Sequence, residues 1–361
     1  AVDRTGEAEQ ALAYERDLWI NRIEASRSVS DRLFTWAMEK GHRRLPALDG
    51  RKLRLKRLER YFEDFLIRTA EIEELADEHA MAKLQLAEIS LAAGDSAAAT
   101  VRLGEALEEW SNRSMDADFK FRMATNTLLL ALLRQVESDP KTEGAFIEAR
   151  SALDKVPQAD VDTDRLDQLS AILDFHEARL LAGKGDDAKA LKQLMRATET
   201  LNDITDRRPD SAVLRSELAG CYLSSATILE GIGNLGDART TRTLAATELK
   251  RLLDENPEDP SLRLTLAGCY GAMAEAAVLS GDVAGAELLC RNTLKLLNQI
   301  LIEQPEHAEA LSRKAAQLGL RAGIQRDRGL PKEAIADYDE GIRLLEGIRV
   351  SAPGKAMASY R

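Results

Sequence analysis

The chain has 361 residues, of which 4% are aromatic and 31% charged, and it carries a net charge of −11. Acidity of that size argues against nonspecific nucleic-acid binding by the whole surface, because a phosphate backbone selects basic faces. The three cysteines, Cys221, Cys269 and Cys290, form no CxxC, and no run of about 20 apolar residues marks a membrane span or a signal peptide.

Residues 1–40 read as one long helix. Leu12, Trp19, Ile23, Leu33 and Ala37 fall near heptad spacing with charges between them. Two readings stay open for it: a helix docked on its successor, or a juxtamembrane or coiled-coil stalk. Residue 1 is alanine rather than methionine, so the chain is expected to be a segment of something longer.

Residues 40–60 change character. Lys40, Arg43, Arg44, Arg51, Lys52, Arg54, Lys56, Arg57 and Arg60 face only Asp49 and Glu59, a net of +7. Taking +7 from −11 leaves −18 for the remainder. Leu55, Leu58, Phe62, Phe65 and Leu66 supply the buried stripe of the same helix, so the cations form its outer face. That face is either plainly solvated or docks an acidic partner, the acidic repeats of another copy, or membrane phosphates. Nucleic acid is disfavoured, since no aromatic stacking residues are interleaved.

From residue 71 the apolar spacing is three and four throughout, with no sustained alternation, so no strands are expected. Helical hairpins are expected over 71–93 with 95–113, 116–137 with 142–155, 161–183 with 186–207, 211–232 with 235–256, 259–280 with 283–304, and 307–328 with 331–349. The first three turn on Gly94, Gly144 and Gly185, each followed five residues later by alanine (Ala99, Ala149 and Ala190), and Asp95 caps the helix after Gly94.

The later hairpins share one beat. Gly185, Gly233, Gly281 and Gly329 recur at intervals of 48, as do Ala190, Ala238, Ala286 and Ala334, and Pro209, Pro257, Pro305 and Pro353. The pentapeptide LAGCY stands at Leu218–Tyr222 and again at Leu266–Tyr270. Such hairpins have too little interior to stand alone and must stack into a solenoid. Ala219, Gly220, Ala267, Gly268, Ala238 and Ala286 let the helices approach closely. Cys221 and Cys269 fall at one repeat position on the packed face, so they read as small buried thiols rather than a disulfide.

The turn glycine, the alanine five residues on, and the small residue 12 before that alanine (Ala226, Ala274) resemble the tetratricopeptide repeat, with Ala245 matching its second alanine. That family's unit is about 34 residues. This one is longer by about 14, close to two extra turns on each helix, which keeps the apolar faces in phase. The resemblance implies a right-handed all-α solenoid. It also implies a concave wall, built from the first helix of each hairpin, that receives an extended or helical peptide. By repeat phase the candidates on that wall are Arg215, Tyr222, Arg263, Tyr270, Arg313 and Gln317. Tyr222 and Tyr270 read either as a ladder for the ligand or as packing between helices.

A second resemblance covers nearly the whole chain. Leu45-Pro46, the basic-leucine stretch Leu53–Leu58, and Tyr61-Phe62 with Phe65-Leu66 are similar to the segment after the membrane span of large planctomycete- and verrucomicrobial-type serine/threonine kinases. In that group a long-period repeat array follows, while the kinase domain lies upstream of a membrane span. The resemblance implies a membrane-tethered sensor or assembly arm on the extracytoplasmic (periplasmic) side, anchored only through an upstream segment. The alternative is a free-standing, cytoplasmic adaptor.

Chemistry is sparse. None of the four histidines, His42, His79, His176 and His307, forms HxxH or HExxH. Asp174-Phe175-His176-Glu177 reads as ordinary helix surface, and Gly231–Gly236, a superficial GxGxxG, follows a helix and is the repeat's own turn. No kinase, GxSxG or P-loop motif is present. The expectation is a noncatalytic interaction scaffold with no cofactor and no metal: an N-terminal helical segment over 1–70 and a solenoid over 71–361. Its partner is a protein or peptide, not nucleic acid. A self-assembly module is the rival, with the +7 helix pairing head to tail with another copy.

Overall fold

A computed structural model describes residues 49–70, 76–110 and 117–351. The helix expected over residues 1–40, the first part of the basic stretch with Lys40, Arg43 and Arg44, and the tail from Ala352 lie outside the described residues, as do the side chains of Arg51, Lys52 and Arg54. The fold is all-α. Among the described residues there are thirteen α-helices and no strand: α1 Asp49–Arg68, α2 Ala76–Ala93, α3 Ser96–Trp110, α4 Ala117–Val136, α5 Thr142–Leu153, α6 Thr163–Gly183, α7 Asp187–Arg207, α8 Ala212–Gly231, α9 Leu235–Glu255, α10 Pro260–Leu279, α11 Val283–Glu303, α12 Ala308–Asp327 and α13 Pro331–Ser351.

Local chemistry sets the helix starts. The Asp259 carboxylate accepts from the N–H groups of Ser261 and Leu262, with Pro260 in the first turn. Ser211, Asn234 and Asp282 cap α8, α9 and α11 the same way, and the His307 ring accepts from Ala310 N–H at the head of α12. Asp95 caps α3 as expected, accepting from Ala98 N–H at 3.0 Å.

Six turns share one closing hydrogen bond, from the residue after the turn to the carbonyl five positions earlier: Asp95 to Ser90, Asp139 to Arg134, Asp186 to Leu181, Asn234 to Leu229, Asp282 to Ala277 and Leu330 to Gln325. This is the Schellman arrangement, which needs a left-handed residue just before the donor. Gly94, Gly185, Gly233, Gly281 and Gly329 supply it, with φ between 76° and 84°. The remaining turn corrects the sequence reading. Gly144 lies inside α5, and the left-handed position there is Ser138, at φ 56°.

The described residues fall into two compact units that divide between Leu180 and Leu181. In the first, α1 packs on α2, α3 on α4, and the pairs α2/α3 and α4/α5 are hairpins. Phe62 and Phe65 of α1 meet Ala82, Leu86 and Ile89 of α2. Arg102 of α3 reaches the Glu59 and Glu63 carboxylates at 2.9 and 3.2 Å, which leaves Lys56, Arg57 and Arg60 of α1 exposed. Around α4, α5 and α6 the core is Phe121, Leu128, Phe146, Leu169 and Leu173. The Asp174 segment is not plain helix surface. Asp174 is 6% exposed, and with Glu177 it holds Arg150 of α5 at 2.5 and 2.9 Å.

In the second unit α8/α9, α10/α11 and α12/α13 are hairpins whose two helices run side by side, and each second helix packs on the first helix of the next hairpin. The residues that mark the repeat are the ones pressed together: Ala226, Ala245, Ala274 and Ala286 are completely buried. Alanine there lets helix backbones approach without loss of helix propensity. Helix α10 is long and apolar enough to cross a membrane by composition alone, with a mean hydropathy of 1.2. Here it is a core helix whose Leu266 and Cys269 pack against Ala245, Ala246 and Leu249 of α9.

Candidate peptide-binding groove

Three first helices, α8, α10 and α12, carry the repeat-phase candidates. Arg215 and Arg263 occupy one position in successive repeats, and both are buried, at 6% and 7% exposure. Each ties the start of its hairpin's first helix to the end of the second. Arg215 Nη2 donates to both Glu255 oxygens at 2.6 and 2.8 Å. Arg263 Nη1 donates to Glu303 at 2.6 Å, while its Nε donates to the Pro257 carbonyl at 2.9 Å. Glu255 and Glu303 are themselves 48 residues apart, so the strap recurs in these two successive hairpins.

Tyr222 and Tyr270 are half-buried and pack against the α9–α10 core beside Leu262 and Met273. The Tyr222 hydroxyl bonds Asn202 of α7 at 3.2 Å. Burial raises the pKa of the Tyr270 hydroxyl. Neither tyrosine, and neither Arg215 nor Arg263, lines the open groove described next.

Arg313 and Gln317 do line it. The groove has a volume of about 430 Å³ and runs over α10 between Leu223 and Thr227 of α8 and Arg313, Ala316 and Gln317 of α12. Its α10 floor is Ala267, Gly268, Gly271 and Ala272, with Thr265 and Glu275 at the edges. The glycines of the floor let side chains of α12 lie close against α10. A Cβ at Gly268 would stand 2.1 Å from Arg313 Nη1, and one at Gly271 would stand 3.0 Å from Gln317 Oε1. The Arg313 guanidinium therefore lies across α10, donating to the Leu264 carbonyl at 3.0 Å and to Glu309 at 2.7 Å. Gln317 is 5% exposed, and its amide donates to Cys290 Sγ at 2.9 Å.

All three cysteines are buried and none forms a disulfide. Burial pushes the Cys269 thiol up to about 11 and raises Cys290 as well, so both are protonated and unreactive at neutral pH. The Cys269 thiol donates to the Arg242 carbonyl at 3.3 Å. Arg242 itself is 7% exposed and bonds Glu230 at 2.5 and 3.0 Å. Among the described residues no group of three His, Cys, Asp or Glu side chains is placed to hold a metal.

Of the repeat-phase candidates, Arg313 and Gln317 line this groove; Gly271, Ala272, Thr293 and Ala316 line it too and were not among the candidates. The available signal was small residues in one phase: Gly220, Gly268 and Ala316 are separated by 48 each. A second cavity, about 690 Å³, lies in the first unit over Leu107, Met123 and Leu130, edged by Lys120, Arg134 and Lys155 and by Glu108 and Glu148. Nothing in the periodicity marks it.

No protein-family model matches the chain, and none of the curated proteins matches it. Solved structures share its fold. BtubC (BKLC) from P. vanneervenii is 19% identical, with a TM-score of 0.51 over 71% of this chain and 91% of that chain. Nro1, a hypoxic regulator of sterol synthesis described as a nuclear import adaptor, is 13% identical, with a TM-score of 0.53 over 83% of this chain and 95% of that chain. A second structure of Nro1, from S. pombe, is 14% identical at a TM-score of 0.53, over 78% and 95%. These likenesses establish an all-α solenoid of helical hairpins.

Proposed function

We propose that the chain is a noncatalytic scaffold whose second unit holds an extended peptide segment of a partner protein in the α8–α10–α12 groove. One observation carries this reading. Small residues along the α10 floor let Arg313 and Gln317 of α12 lie against it, and the groove keeps polar groups of Arg313, Thr265 and Glu275 in its lining. Backbone amides of an extended peptide would find donors and acceptors there, while the small floor sets how deep its side chains reach. Arg215, Arg263 and the buried Gln317 then serve the scaffold, and Arg313 serves the ligand.

The test starts from a displayed library of random peptides selected on the 361-residue chain. Ala272→Phe and Ala316→Phe fill the groove and are expected to weaken the selected peptides at least tenfold while helical circular dichroism stays unchanged. Arg313→Ala is expected to weaken them by a smaller factor. Equal affinity for the filled variants overturns the assignment.

The finer reading is that this scaffold is the sensor or assembly arm of a membrane-anchored serine/threonine kinase, on the extracytoplasmic side. Its support is the Leu45-Pro46, Leu53–Leu58 and Tyr61–Leu66 pattern, which continues directly into the repeats. An antibody to the chain, used on fractionated native cells, decides it. A membrane-bound band far larger than 39.8 kDa with autophosphorylating activity supports the kinase arm, and a soluble band at that mass refutes it.

A further inference from the structure

Helix α13 departs from a rule that the earlier second helices keep. Tyr338, Ile342 and Leu345 stand one repeat after Cys290, Leu294 and Leu297, and two repeats after Arg242, Ala246 and Leu249. In α9 and α11 those six residues are 0–7% exposed, since the first helix of the next hairpin packs on them. In α13 the same positions are 38%, 54% and 40% exposed, and Ile335 adds a fourth apolar side chain at 58%. Spacings of three, four and three put all four on one helix face. Scattered exposed leucines are ordinary, but a contiguous stripe marks an interface.

The stripe is also symmetric about its own middle. Ile335 and Leu345 lie five residues either side of position 340, and Tyr338 and Ile342 lie two either side. Its open flank carries exposed charges in matching order: Lys332 and Asp339 on one side of that middle, Arg343 and Glu346 on the other. Turned end for end about position 340, the helix brings Lys332 near Glu346 and Asp339 near Arg343, each pair within two residues (about 3 Å) of register, twice over. A further repeat helix would need only an apolar face. It would have no reason to meet charges in reversed order.

We propose that a second copy of this chain occupies the α13 face, the two helices crossing antiparallel about a twofold axis near position 340. Ile335 then packs on the partner's Leu345, Tyr338 on the partner's Ile342, and four ion pairs close the exposed flank. This isologous arrangement is self-limiting at two copies. It uses a surface distinct from both the groove and the basic face of α1, so it stands or falls independently of the peptide-binding reading.

Sedimentation equilibrium of the full chain tests it. The wild type is expected at twice 39.8 kDa, and Ile342→Asp at 39.8 kDa with unchanged helical circular dichroism. Asp339→Arg and Arg343→Asp each set like charges against each other and are expected to raise the dissociation constant roughly tenfold. Combining the two reverses both Asp339–Arg343 pairs and restores the dimer. A wild type that stays monomeric up to about 100 μM, a dimer indifferent to Ile342→Asp, or a double variant no tighter than the singles overturns the proposal; should Ile342→Asp fail to fold, the charge-reversal set decides alone.

Discussion

The Arg263–Glu303 strap makes an asymmetric prediction. Arg263 is 7% exposed, whereas the Glu303 side chain is 45% exposed. Removing the glutamate leaves a guanidinium inside the fold with the Pro257 carbonyl as its one remaining strong partner, at 2.9 Å. An uncompensated buried charge costs about 3–5 kcal/mol when the site is fully closed. With one partner retained, we expect about 2–3 kcal/mol for Glu303→Ala. Removing the arginine is milder. The half-exposed carboxylate turns to water, and methionine refills most of the volume, so Arg263→Met should cost about 1 kcal/mol, chiefly for the lost bond to Pro257. Because a repeat array need not unfold in one step, the readout is native-state hydrogen exchange of the α10 and α11 amides, with urea unfolding alongside. An Arg263→Met variant as unstable as Glu303→Ala, or more so, would refute the burial argument. An Arg263→Met variant of full stability that loses peptide binding would return Arg263 to the ligand.

Two further outcomes are expected. Ser138→Gly relieves a left-handed serine in a turn where the five equivalent positions are glycine, and should raise stability by about 0.5–1 kcal/mol in urea unfolding. Cys269 gives a pH dependence with a definite sign. Its thiol titrates near 11 in the folded chain against an ordinary value of 9.0, so its contribution is complete below pH 9 and disappears as pH climbs from 9 through 11. At about 1.4 kcal/mol per pH unit the loss is about 2–3 kcal/mol. Cys269→Ala, though less stable at pH 8 for loss of packing, should show a flatter decline over that window in denaturant titrations at fixed pH.

The sequence exposed the period, the helices and the turns because each is set locally. A left-handed glycine, a capping aspartate and an alanine at a close crossing act within a few residues and recur in phase. Ser138 escaped notice because serine tolerates the required φ at a modest cost, so the strict glycine signal pointed to Gly144, a turn too late. Asp174 was misjudged because its partner, Arg150, is 24 residues away on another helix. Repeat phase set Arg215 and Arg263 on the concave wall, where an arginine is usually solvated. Their burial depends on glutamates 40 residues downstream, yet that partnership was visible in the sequence, since Glu255 and Glu303 keep the same interval as the arginines. The groove needed the fold, because its lining is defined by what three separate helices leave empty.

The strap has an evolutionary consequence. The α8/α9 and α10/α11 hairpins are each fastened at both ends from within their own 48 residues, by the Schellman turn at one end and the arginine–glutamate pair at the other. A copy inserted or lost in register therefore carries all of its own fasteners and asks nothing new of its neighbours beyond an alanine-lined seam. Lengthening or shortening such an array by gene duplication or deletion is accordingly a step of low structural risk, and near-identical seams such as LAGCY at Leu218 and Leu266 are the mark that recent copying leaves.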